Sequence, residues 1–236
     1  QPPSGMIAVK VRAVGLNFKD VLNVLIPDDA AYVGFGGEVP LPGADFAGSV
    51  LSLPSDYSGD LEVGDEVYGL STTNNGMLHS STPVHEGSIA HMPRGLSFEE
   101  AAQLPMVFMT VEYALGPEQA NMKAGERILI HSAAGGVGIA AIQYAQRVGA
   151  EVFATASAPK HDFLRSLGVK HISTSRDPVV FKQEMKAMVG ERGVDVVLNS
   201  LTSEGYIAAT VEMVAENGRF IEIGKRNIWS LSLIHI

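Results

Sequence analysis

A run of small residues between an apolar strand and an apolar helix is the feature of this sequence best suited to chemistry. Ile128–His131 is predicted as a strand, and Ser132 begins a Gly-rich turn directly after it. Ala133, Gly135 and Gly138 fall at the spacing of a dinucleotide-binding fingerprint, with Ala in place of the first Gly. Gly135 would let the backbone approach a diphosphate, and Gly138 would let the helix pack closely on the strand. The predicted diphosphate-binding residues are Ala133, Ala134, Gly135, Gly136, Val137 and Gly138.

The residues after the next predicted strand, Glu151–Ala156, indicate which dinucleotide would bind. An NAD-dependent enzyme usually has an acidic residue there, which accepts hydrogen bonds from the ribose 2′-hydroxyl. Ser157 stands at that position instead, and Lys160 follows it. Lys160 would attract a 2′-phosphate, assisted by Arg176 beyond the following strand, so the sequence favours NADPH over NADH. The alternative is that Lys160 is a solvated lysine in the first turn of a helix.

Two patterns divide the chain and predict two domains. Residues 1–100 are short β-like segments punctuated by Gly and Pro around one short helix, which predicts a compact, barrel-like β domain. From Ser97, which opens a helix with Glu100 as a capping box, helices and strands alternate along residues 101–236. This succession predicts an α/β fold, a doubly wound parallel Rossmann sheet, with its ligand crevice at the carboxyl ends of the strands. Its later elements include a helix over 159–167, a helix over 206–214 and a strand over 218–223.

The composition excludes several classes of function. Lys and Arg number 17 against 26 Asp and Glu, so a net charge of −9 argues against nucleic-acid binding. The absence of Cys removes disulfides and Cys-ligated zinc, and the seven His lack ligand spacing, so no metal is expected. A chain without Cys fits a reducing compartment, and we expect the cytoplasm. No apolar run approaches the roughly 18 residues that cross a bilayer, so no membrane association is expected.

Six segments carry a resemblance to a known family: Val14–Leu22, Val63–Leu70, Leu96–Ala102, His131–Gly138, Asn199–Leu201 and Arg219–Lys225. Together they resemble the medium-chain dehydrogenase/reductase superfamily. Within it, they are most similar to the enoyl reductase domains of type I polyketide synthases and animal-type fatty acid synthases. The resemblance runs from Ile7 to about Trp229. It implies that residues 1–100 form a GroES-like partial-barrel substrate domain, and that the chain belongs to the zinc-free, quinone oxidoreductase-like branch.

The resemblance also implies an activity. An NADPH-dependent enoyl reductase reduces the 2,3 double bond of an enoyl thioester by hydride transfer to the β-carbon, followed by protonation of the α-carbon. The implied partners are an acyl-carrier-protein-bound substrate and neighbouring synthase domains, and a homodimer of the parent protein stays open. Two alternatives remain, a free-standing NADPH-dependent quinone or enone oxidoreductase and a non-catalytic dinucleotide-binding module.

Further cofactor contacts follow from the resemblance and from the predicted crevice. Asn17 matches a family position beside the nicotinamide, although it would serve equally well as the N-cap of a short helix. Thr110 matches another position near the nicotinamide. Asn199 ends a predicted strand, and Gly224 and Lys225 follow the last one, so all three are expected at the carboxyl edge of the sheet.

The proton donor is the least determined part of the predicted site. Lys160 and Asp177 match a lysine and an aspartate proposed as donors in synthase enoyl reductases. Lys160 is also the best 2′-phosphate ligand, and one ammonium cannot easily serve both ends of a dinucleotide. On reach alone, we prefer the phosphate role. Asp177 precedes Pro178 and would also cap a helix. Tyr32 is the candidate phenol, in a loop that departs from the family pattern.

Both ends of the chain suggest a fragment. The sequence begins at Gln1 rather than Met, and Leu231–Ile236 does not resemble the family, whose enoyl reductases continue with further strands. We therefore expect a Rossmann domain that is incomplete at its C-terminus. An uncovered sheet edge would leave the isolated chain poorly stable or inactive.

Overall fold

The structure is a computed structural model that describes residues 1–25, 41–71 and 76–224. The chain divides into two compact units, Gln1–Val107 and Phe108–Ile236. One unit contains an antiparallel sheet and the other a parallel sheet with helices, so the predicted α/β class is confirmed. Tyr32, Lys225 and Leu231–Ile236, which carry predictions made from the sequence, lie outside the described residues.

In its described residues, the first unit is built on five antiparallel strands. Their bounds are β1 (Met6–Gly15), β2 (Asp45–Ser52), β3 (Glu66–Leu70), β4 (Ser81–His85) and β5 (Ile89–His91). In space they follow the order β4-β1-β2-β3-β5. Ile7 and Val9 of β1 are fully buried, and they pack with Phe46, Val50 and Val67 in one apolar cluster. Alternate residues of β1 therefore supply the core, as the period of a half-buried strand requires.

Short helices accompany this sheet: α1 (Phe18–Leu25), α2 (Phe98–Ala101) and the start of α3 (Pro105–Leu115). The predicted capping box at α2 is confirmed. The Ser97 hydroxyl accepts from the Glu100 N–H at 3.2 Å, and the Glu100 carboxylate accepts from the Ser97 N–H at 2.8 Å. Both amides at this helix start are thus satisfied by side chains.

The second unit alternates strands and helices. The strands are β6 (Arg127–Ile130), β7 (Glu151–Ala156), β8 (His171–Thr174), β9 (Val194–Asn199) and β10 (Val214–Glu222). The helices are α4 (Gly136–Val148), α5 (His161–Ser166), α6 (Pro178–Val189) and α7 (Tyr206–Val211). The parallel sheet has the order β10-β9-β6-β7-β8, so the chain starts at the centre and winds outward in both directions. The predicted doubly wound sheet is confirmed, and its crevice lies beside the carboxyl end of β6.

The central strands are buried on both faces. Ile128, Leu129 and Ile130 of β6 have no exposed surface, as expected for a parallel sheet covered by helices. Leu129 belongs to a cluster in which Phe181 of α6 and Tyr206 of α7 are also buried. Among the described residues, no helix has the length and apolar character that a membrane span needs.

Some element boundaries differ from those expected from the sequence. Strand β10 begins at Val214 rather than Gly218. Its pairing with β9 starts at Val214, is interrupted by an irregularity in which Asn217 takes φ 61°, and resumes at Arg219. Helix α7 correspondingly ends at Val211 rather than 214. The helix expected over 159–167 is a 3-10 turn, Ala158–Lys160, followed by α5. That turn forms because the Lys160 N–H bonds to the Ser157 carbonyl at 2.9 Å.

Candidate functional site

The loop after β6 is held in place by its neighbour β7. Ser132 takes a left-handed backbone conformation with φ 51°. The next amide, that of Ala133, donates to the Thr155 carbonyl at 2.9 Å, and the Gly135 N–H donates to the Ser132 carbonyl at 2.9 Å. Helix α4 begins at Gly136, and the N–H groups of its first turn lack partners within the helix. The loop therefore ends where unpaired amides and the positive end of a helix dipole meet.

Gly135 and Gly138, the two glycines at the fingerprint positions, have different roles. A Cβ on Gly138 would lie 2.5 Å from both the Cα and the carbonyl oxygen of Ala133, which is fully buried. Only Gly lets α4 pack this closely against the loop. A Cβ on Gly135 would meet only the Ser132 oxygen, at 3.3 Å, so the packing of the protein does not require Gly there. The lack of a side chain at Gly135 instead leaves room in front of the loop, as an approaching diphosphate needs.

This loop forms one wall of a cavity of about 240 Å³ at the carboxyl edge of the parallel sheet. The other walls come from the ends of β7 and β8 and from the segment after β9. Lys160 and Arg176 are its charged lining residues, both cationic and both exposed. The cavity is lined by Ser132, Ala134, Gly135, Ala156, Ser157, Lys160, Ser175, Arg176 and Leu201.

The far end of this cavity has the chemistry of an anion site. Ser157 and Lys160 follow β7, and Ser175 and Arg176 follow β8. The two segments are tied together by the Ser175 N–H, which donates to the Ala156 carbonyl at 3.1 Å. Two hydroxyls and two cations around one cavity suit a phosphate group. The residues present therefore fit a dinucleotide that carries a 2′-phosphate.

Asp177 has a structural partner outside this cavity. Its Oδ1 accepts from the N–H groups of Val179 and Val180, at 2.8 and 3.0 Å, and so caps α6. The side chain is the N-cap that the sequence predicts as the alternative to a proton donor.

Asn199 is fully buried at the end of β9 and bonds to a residue not considered from the sequence. Its Nδ2 donates to Glu222 Oε2 at 2.6 Å, and its Oδ1 accepts from the Leu201 N–H at 3.4 Å. Glu222 Oε1 in turn accepts from the Gly224 N–H at 2.6 Å. Asn199 and Glu222 thus hold two segments, around Leu201 and Gly224, that follow neighbouring strands.

In the first unit, Asn17 is fixed by two carboxylates. Its backbone N–H donates to Asp20 at 2.7 Å, and its side-chain Nδ2 donates to Asp45 at 2.9 Å. Asp45 is 2% exposed and also accepts from the Met106 N–H at 3.0 Å. Burial raises the pKa of Asp45 to about 6, against the opposing effect of these hydrogen bonds. Because a carboxylate only accepts, the Asn17 amide must turn its NH₂ toward Asp45.

The remaining candidates are separate from the cavity. Thr110 is half-buried within α3 and does not line the cavity. Within the described ranges, no three His, Asp or Glu side chains are grouped so that they could hold a metal ion. The residues missed from the sequence are Ser132, Ala156, Ser175, Leu201, Glu222 and Asp45. Ser175 was accessible to sequence reasoning, since it directly precedes Arg176 and follows a predicted strand.

Comparison with known proteins matches both parts of the chain to dehydrogenase family models. The family model of the alcohol dehydrogenase GroES-like domain matches residues 3–124, and that of the zinc-binding dehydrogenases matches residues 136–231. The chain is 44% identical over 229 residues to the spectinabilin polyketide synthase system protein NorB of Streptomyces orinoci. That match covers 95% of this chain and 10% of NorB, so the chain spans about a tenth of the length of the curated relatives it matches.

Solved structures of polyketide-pathway enzymes are also similar to this chain. The CurK enoyl reductase has a TM-score of 0.89 and 42% identity, covering 99% of this chain and 70% of that one. The CurF ER cyclopropanase from the curacin A biosynthetic pathway has a TM-score of 0.87 and 38% identity, with the same coverage of 99% and 70%.

Proposed function

Because the chain belongs to the polyketide synthase enoyl reductases of the medium-chain dehydrogenase/reductase superfamily, we propose that it binds NADPH and reduces enoyl thioesters. The cavity at the carboxyl edge of the parallel sheet is the observation that carries this proposal. Its near wall is a loop that ends in free helix amides, and its far wall presents Lys160 and Arg176. A diphosphate at the first and a 2′-phosphate at the second would span the adenosine half of NADPH.

When bound, NADPH would supply a hydride to the β-carbon of the enoyl thioester. The protein's own share is to orient the cofactor and to accommodate the negative charge that moves onto the thioester carbonyl. Asn17, whose amide is oriented by Asp45, is proposed to lie beside the nicotinamide. The α-carbon then takes a proton, and Tyr32 is the proposed donor, because Asp177 is engaged as the N-cap of α6.

Lys160 is better suited to the phosphate than to proton donation. It lines the same cavity as Ser157, Ser175 and Arg176, and these are groups that bind anions. We therefore assign Lys160 to the 2′-phosphate. The substrate is proposed to be a carrier-protein-bound acyl chain, delivered by neighbouring domains of a longer synthase, because NorB is a polyketide synthase protein that extends far beyond the matched region.

The test measures NADPH oxidation with crotonyl-pantetheine as substrate by a longer synthase fragment that contains this chain, because the isolated chain is expected to be poorly stable or inactive. Loss of NADPH absorbance coupled to formation of the saturated thioester is expected, and NADH should be a much poorer reductant. A separate fluorescence titration reports NADPH binding without turnover. Oxidation with benzoquinone but not with the thioester would make the chain a quinone oxidoreductase. Binding without turnover of either substrate would contradict the reductase proposal and leave a dinucleotide-binding module.

A further inference from the structure

His131 lies directly before the diphosphate-binding loop, and its side chain is buried beneath that loop. The ring is 2% exposed and packs against the rings of Phe181 and Tyr206, with centroids 5.3 and 6.3 Å away. Both ring nitrogens have hydroxyl partners. Nδ1 lies 3.1 Å from the Thr155 Oγ1, and Nε2 lies 3.0 Å from the Thr210 Oγ1. His131 is therefore a polar ring buried in an apolar core with both of its nitrogens hydrogen-bonded.

The direction of these hydrogen bonds follows from one hydroxyl. Thr210 donates its single hydroxyl proton to the Tyr206 carbonyl at 2.7 Å, so toward the imidazole it can only accept. Nε2 of His131 must therefore carry the ring proton. Nδ1 is then an acceptor, and Thr155 donates to it. Burial supports a single proton on the ring, since it lowers the pKa of His131 to about 3.

Thr155 connects this ring to the loop. With its proton committed to His131, its Oγ1 is left as an acceptor, and the Ser132 N–H donates to it at 3.2 Å. The backbone carbonyl of Thr155 receives the next amide, that of Ala133, at 2.9 Å. One residue of β7 thus holds two consecutive loop amides, at the point where Ser132 takes its left-handed conformation. That conformation is unfavourable for a residue with a side chain and needs such support.

We propose that His131 is a positioning residue for the dinucleotide: it fixes the Thr155 hydroxyl so that this hydroxyl holds the Ser132 amide and sets the direction of the loop. A single sequence of hydrogen bonds runs from the Ser132 N–H through Thr155, His131 and Thr210 to the Tyr206 carbonyl. His131 does not touch the cavity, so it acts on cofactor affinity and not on the chemical step. The inference rests on the proposed NADPH site.

The main test is the substitution Thr155→Val, which keeps the shape of the side chain and removes the hydroxyl. NADPH affinity in a fluorescence titration should fall by about three- to tenfold, the usual value of one hydrogen bond, with turnover at saturating NADPH retained. Thr155→Ser restores the hydroxyl and should restore the affinity. The matched control is Ser173→Ala, which removes a buried hydroxyl on the neighbouring strand, bonded to Glu184 at 2.6 Å. It should lower the melting temperature and leave NADPH affinity unchanged.

A purely structural role would make Thr155→Val resemble Ser173→Ala, with lower stability and unchanged affinity, and would overturn the inference. If the wild-type chain itself fails to bind NADPH, the proposed function fails instead. The ring proton gives a readout that needs no cofactor. In ¹⁵N NMR spectra of the wild-type chain, the ring proton of His131 should reside on Nε2 and exchange slowly with solvent. A proton on Nδ1 would overturn the inference whatever the binding data show.

Discussion

Replacing each fingerprint glycine with alanine should separate folding from cofactor binding. At Gly138, the added Cβ would lie 2.5 Å from the Ala133 Cα, where carbon atoms normally approach to about 3.5–4.0 Å. An overlap of about 1 Å against backbone atoms should cost ~1–3 kcal/mol of unfolding free energy. At about 2–4 °C per kcal/mol, Gly138→Ala should lower the melting temperature by roughly 2–12 °C.

Gly135→Ala should instead leave stability nearly unchanged and weaken cofactor binding. Gly135 has φ −91° and ψ 171°, which alanine adopts readily, and its added Cβ would meet only the Ser132 oxygen, at 3.3 Å. The loss of a good N-cap residue is offset by a less flexible unfolded chain, so stability should change by less than about 1 kcal/mol. The methyl group would stand where the diphosphate approaches and should weaken NADPH binding about tenfold or more. Thermal melts and NADPH fluorescence titrations of both variants measure these effects. Unchanged NADPH affinity in Gly135→Ala, or wild-type stability in Gly138→Ala, would contradict these separate roles of the two glycines.

Three further predictions concern charged and titratable groups. Lys160→Ala should weaken NADPH binding roughly tenfold without affecting NADH, and an equal loss for both cofactors would remove Lys160 from the 2′-phosphate. His131→Gln should lessen the loss of stability on acidification: the depressed pKa of His131 costs the wild-type chain about 1.4 kcal/mol per pH unit below roughly pH 6.5, toward the folded value of about 3. Parallel stability curves against pH would contradict this. Asp177→Asn should retain both the melting temperature and the rate of NADPH oxidation, because Asn caps a helix as well as Asp. A lost rate at unchanged stability would make Asp177 the proton donor.

The diphosphate loop could be predicted from the sequence because its determinants are contiguous. An apolar strand, small residues at fixed spacing and an apolar helix follow one another from Ile128 to Val148, and each constrains the backbone locally. The alternation of strands and helices likewise predicts the parallel sheet. The start of β10 predicted from the sequence, Gly218, was wrong for an equally local reason. Glu216-Asn217-Gly218 has the composition of a turn, but it forms an irregularity inside a strand whose pairing with β9 resumes at Arg219.

The parts of the site that were missed depend on tertiary structure. Asp45 lies 28 residues from Asn17, and only the pairing of β1 with β2 brings the two together. Glu222 reaches Asn199 because β9 and β10 are neighbours, and no local pattern marks that contact. His131 was read only as the end of a strand. Its partner Thr210 lies 79 residues away on α7, so the sequence could not show that both ring nitrogens are bonded.

The proposed function requires NADPH to bind in the cavity at the carboxyl edge of the parallel sheet. Backbone amide chemical shifts recorded during an NADPH titration test it most directly. Saturable shifts should appear at Ala134, Gly135 and Gly136 in the loop and at Ser157 and Ser175 at the opposite wall. With NADH, the changes at Ser157 and Ser175 should be much smaller. Shifts confined to other parts of the chain, or none at saturating NADPH, would contradict the account.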